Sequence, residues 1–110
     1  MTLENQVCSL DLAKRLKELG VKQESLFWWN QFAQDDLSYN LQAEKSDLCI
    51  SAFTCAELGE MLPVEYWEKQ GRTIVGTYGF WFGDEEAVYA DTEADARGKM
   101  LIYLLENRLI

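Results

Sequence analysis

Apolar residues recur at helical spacing near both ends of this chain and at strand spacing between them. From Ser9 to Leu19, a stripe of Leu12, Ala13, Leu16 and Leu19 lies opposite a charged face of Lys14, Arg15, Lys17 and Glu18, which predicts an amphipathic helix. Ser9 is placed to cap it and Asp11 suits the positive end of its dipole. Gly20 supplies the left-handed residue that ends it, with Val21 folding back onto Leu16. The stretch Ala90 to Ile110 predicts a last helix, with Thr92 and Asp95 at capping distance and an almost purely apolar second half. Gly98 inside that helix costs about 1 kcal/mol against alanine, so it is expected to mark close packing against a sheet.

Between these helices the period changes. Glu24 to Phe32 predicts a strand rich in aromatics, with Leu26, Trp28 and Phe32 on one face and Phe27 and Trp29 on the other. Asp35-Asp36 marks a turn, Leu37 to Leu41 a short return strand, and Ala43 to Asp47 a loop before the apolar piece Leu48 to Ser51. Thr54 and Glu57 form a capping box for a middle helix, Phe53 and Leu58 its hydrophobic staple, and Pro63 its stop. Three further strands are expected at Val64 to Lys69, Arg72 to Phe82 and Glu86 to Ala90, with turns at Gly71 and Gly83-Asp84. In the long middle one, Ile74, Tyr78, Phe80 and Phe82 point one way and Thr73, Val75, Thr77 and Trp81 the other, with Gly76 and Gly79 admitting a bulge or bend. The expected fold is a single α+β domain over residues 1–110, in the order α-β-β-α-β-β-β-α. It has one antiparallel sheet of four to five strands with helices mainly on one face.

Composition narrows the chemistry. At 48% hydrophobic and 13% aromatic the chain is no disordered segment, and 110 residues suffice for one packed core. Nineteen acidic against ten basic side chains leave a net charge of −9, which repels phosphate backbones and anionic membranes. No apolar run approaches the ~20 residues of a membrane span, and the opening lacks the marks of a signal peptide. A cytoplasmic protein that contacts neither nucleic acid nor membrane directly is therefore expected. Histidine is absent, which removes Ser-His and Cys-His nucleophiles and imidazole metal sites. Cys8, Cys49 and Cys55 form no CxxC pair and are read as reduced, structural thiols. No cofactor is expected.

Two features carry the functional expectation. Asp84, Glu85, Glu86, Asp91, Glu93 and Asp95 fall within twelve residues free of basic side chains. They lack calcium-loop spacing, and Asp91, Glu93 and Asp95 also suit a helix N-terminus. The second feature is aromatic: if helices cover the Ile74 face, Trp81 stands on the open side, where Trp29 or Trp67 could join it. Trp residues dominate interface energetics, and the competing reading packs Trp81 beneath the N-terminal segment or a loop. Trp29, Trp67, Trp81, Asp84, Glu85 and Glu86 are thus the candidate partner-binding residues of a non-catalytic interaction protein. The partner is another protein or a second copy of the chain in a homodimer. One alternative is an acidic decoy that occupies a nucleic-acid-handling protein; the other is a small carboxylate-dependent enzyme, although nothing fixes two carboxylates in a cleft.

Three segments carry a resemblance: Leu12 to Val21 with Gln23 to Phe27, Ser51 to Thr54 with Ala56 to Pro63, and Asp91 to Arg97 with Lys99 to Asn107. Their wording resembles a group of small uncharacterised bacterial and prophage-associated proteins. The region from Glu65 to Ala90 has no counterpart in it. The resemblance implies a mobile-element accessory protein that binds a host protein, and it carries over no activity, ligand or catalytic residue.

Overall fold

The computed structural model describes residues 3–31, 39–46, 48–62, 70–72, 78–82 and 85–108, with side-chain surroundings for those outside 70–89. Four helices and six strands lie in these residues. They are α1 (Leu3–Gln6), α2 (Leu10–Glu18), β1 (Phe27–Gln31), β2 (Tyr39–Gln42), β3 (Cys49–Ala52), α3 (Cys55–Met61), β4 (Gln70–Arg72), β5 (Tyr78–Phe82), β6 (Glu85–Ala90) and α4 (Glu93–Glu106).

The fold is α+β and antiparallel, but among the described residues the single sheet of four to five strands is replaced by two sheets of three, ordered β2-β1-β3 and β4-β5-β6. Two differences account for this. The short piece Leu48 to Ser51 is a strand, and β3 pairs Trp29 with Ile50 and Trp28 with Ser51. The run Arg72 to Phe82 is not one strand, because Arg72 pairs antiparallel with Tyr78 and Gly71 with Gly79. Thr73, Ile74, Val75, Gly76 and Thr77 of its two-face reading lie outside the described residues. A further strand cannot add beside β3, since its outer edge is occupied: Gln23 Oε1 accepts the Ser51 N–H at 2.8 Å, and Lys17 Nζ reaches the Cys49 carbonyl at 3.5 Å. The expected strand Val64 to Lys69, Pro63 and the Gly83-Asp84 turn lie outside the described residues.

Each sheet has its own helix. α2 lies against β3, and α4 lies against β5 and β6 while also touching α1, α2 and α3. α4 is consequently buried on more than one side, through Ala94, Ala96, Gly98, Met100, Leu101, Ile102 and Leu104. These pack with Leu16, Ile50, Phe53 and Leu58 in one core cluster, which Trp29 and Tyr39 join from the edge.

Local signals that need only a few residues are realised. Thr54 Oγ1 accepts the Glu57 N–H at 3.1 Å and Glu57 Oε1 accepts the Thr54 N–H at 2.9 Å, a complete capping box. Gly20 takes φ +88°, with its N–H on the Lys17 carbonyl and the Val21 N–H on the Leu16 carbonyl, both at 3.1 Å, the Schellman ending of a helix. Ser9 makes no side-chain cap. Its backbone N–H donates instead to Asp95 Oδ1 at 2.7 Å, tying α2 to the first turn of α4.

Candidate interaction surfaces

The expected site residues fall in two places. Trp29 lies in the first sheet, half-buried against the core, and its indole N–H donates to the Cys8 carbonyl at 3.1 Å. Trp81, Glu85 and Glu86 lie in the second sheet, where register sets Trp81 opposite Glu86 and Phe82 opposite Glu85. A shift in that register falls between Phe80 and Trp81, the sort of irregularity that bends a strand end. Trp67 and Asp84 lie outside the described residues. Three of the six candidates are thus brought together at one end of a hairpin, and Trp29 belongs to the other sheet.

Two of the remaining acids of the Asp84 to Asp95 stretch, Glu93 and Asp95, have hydrogen-bond partners. Thr92 caps α4 by accepting the Asp95 N–H at 3.1 Å, while the Asp95 carboxylate serves Ser9. Glu93 accepts from Arg97 Nη2 at 3.1 Å. Asp91 is exposed. Among the described residues no three His, Cys, Asp or Glu side chains converge as a metal site.

Sequence patterns did not reveal a cluster at the α3–α4 junction. Arg97 Nη1 donates to the Cys55 carbonyl at 2.7 Å, and its guanidinium lies over Gly59, where an added Cβ would come within 2.5 Å of Nη1. Burial pushes the Cys55 thiol above its ordinary range; Arg97 pulls it down, and Glu93 pushes it up by its charge and by a hydrogen bond with the thiol. Burial likewise pushes Cys8 up, to about 12. Both thiols are therefore protonated at neutral pH and are not activated nucleophiles.

A second unforeseen centre is Asn30. Its Nδ2 donates to the Glu44 carbonyl at 2.7 Å and to Gln42 Oε1 at 3.2 Å, while Oδ1 accepts the Ser46 N–H and hydroxyl. The loop after β2 is thereby folded over the Trp28 face of the first sheet, and Lys45 Nζ sits 5.0 Å from the Trp28 ring centre. Ser51, opposite Trp28, is fully buried with a hydroxyl that has no partner.

Two open hollows lie among the described residues. One of about 330 Å³ runs between α2 and α4, lined by Leu12, Arg15, Lys99, Ile102, Tyr103, Glu106 and Asn107. The other, about 500 Å³, lies between α1 and β2. Each holds one described carboxylate, Glu106 or Glu4. Acid-base hydrolysis on the paired-carboxylate plan needs two. No protein-family model, curated protein or solved structure matches this chain. No helix among the described residues is long and apolar enough to cross a membrane.

Proposed function

We propose that this chain is a non-catalytic interaction protein, a cytoplasmic accessory of a mobile element, that binds a protein partner through the end of the β5–β6 hairpin. The observation that carries this reading is the register that sets Trp81 opposite Glu86 and Phe82 opposite Glu85. Two aromatic positions on β5 stand opposite two acidic positions on β6 there, a composition suited to anchoring on a partner with an apolar pocket and a basic rim. The raised thiols and the missing histidine support a non-catalytic role. The mobile-element assignment rests on the resemblance of the three sequence segments.

The test is an affinity capture of the tagged protein from lysate of its own host, at low and high salt, with mass spectrometry. One partner should be retained at both salts. Trp81→Ala should weaken it about thirtyfold, a hot-spot loss near 2 kcal/mol, with the circular dichroism spectrum unchanged. Retention by Trp81→Ala at wild-type affinity would remove the hairpin from the interface.

The net charge of −9 favours a second reading, the acidic decoy. It predicts a nucleic-acid-handling partner that is lost at high salt and on charge reversal by Glu85→Lys with Glu86→Lys, but not by Trp81→Ala. A homodimer through the same hairpin would appear as a concentration-dependent sedimentation coefficient that Trp81→Ala abolishes.

A further inference from the structure

We draw no further inference here: the strongest candidate, the hollow of about 330 Å³ between α2 and α4, carries nothing because its Arg15 is already paired with Glu18 at 3.2 Å and Glu106 at 3.6 Å, and nothing in the structure shows what covers its apolar wall of Leu12 and Ile102.

Discussion

Gly98 shows how little of a residue's role its identity alone reveals. In the sequence, a glycine among helix formers suggests a backbone pressed against a sheet. In the fold it faces α2, α3 and the segment between α1 and α2. A Cβ there would meet Leu12 Cδ1 at 3.5 Å, Cys8 Cβ at 3.6 Å and Leu58 Cδ1 at 3.9 Å, all ordinary contact distances. Gly98→Ala should therefore stabilise the protein by about 1 kcal/mol, the helix-propensity difference, seen as a higher urea midpoint at unchanged slope. A lower midpoint would mean that the three neighbours cannot accept a methyl group. Asn30 and Ser51 make the complementary point. One buried side chain satisfies every bond it offers and the other satisfies none through its hydroxyl, yet both are small polar residues in apolar strands.

At the scale of elements, legibility followed the range of the interactions. The capping box of α3, the Schellman ending of α2 and the Thr92 cap of α4 are each decided within six residues, and all three were legible. β1, β2 and β6 were legible as strands too, but the division into two sheets was not, because pairing is decided by distant chain. β3 buries three of its four residues in a row, so it lacks the alternation that announces a strand. The aromatic, glycine-containing run after Arg72 satisfies a strand pattern whether or not it doubles back.

Of the site, Trp81 and the adjoining acids could be nominated from composition. The Arg97 cluster could not, since its contacts join positions up to 42 residues apart. That cluster supports a prediction with a change of sign. Gly59→Ala alone must push the Arg97 guanidinium off α3, losing a charge-assisted bond of about 1.5–3 kcal/mol against about 1 kcal/mol of helix propensity. In an Arg97→Ala background the same change should instead stabilise by about 1 kcal/mol. A double-mutant cycle by denaturant unfolding measures both steps. Destabilisation in both backgrounds would place the obstacle in α3 itself.

For the whole molecule, the buried Cys8 links the core to pH. Its thiol is pushed up to about 12 in the fold from an ordinary 9.0. A group whose folded pKa is raised contributes its stability fully below the unfolded value and loses it as pH climbs toward the folded one. Stability should therefore fall by up to about 1.4 kcal/mol per pH unit between about 9 and 12 from this thiol alone. Cys8→Ala should be less stable at neutral pH but show a shallower alkaline decline, measured by urea unfolding across that window. An equal slope would assign the decline to other groups.

The placement of α4 has a consequence for synthesis. This helix touches α1, α2, α3, β5 and β6, and Asp95 in its first turn holds a backbone group 86 positions earlier. It is also translated after every other described element. The parts of α2 and α3 that α4 covers must wait, unburied, until α4 clears the ribosome. At about 5–20 residues per second, that leaves seconds in which a chaperone or another nascent chain competes with α4 for the same surface.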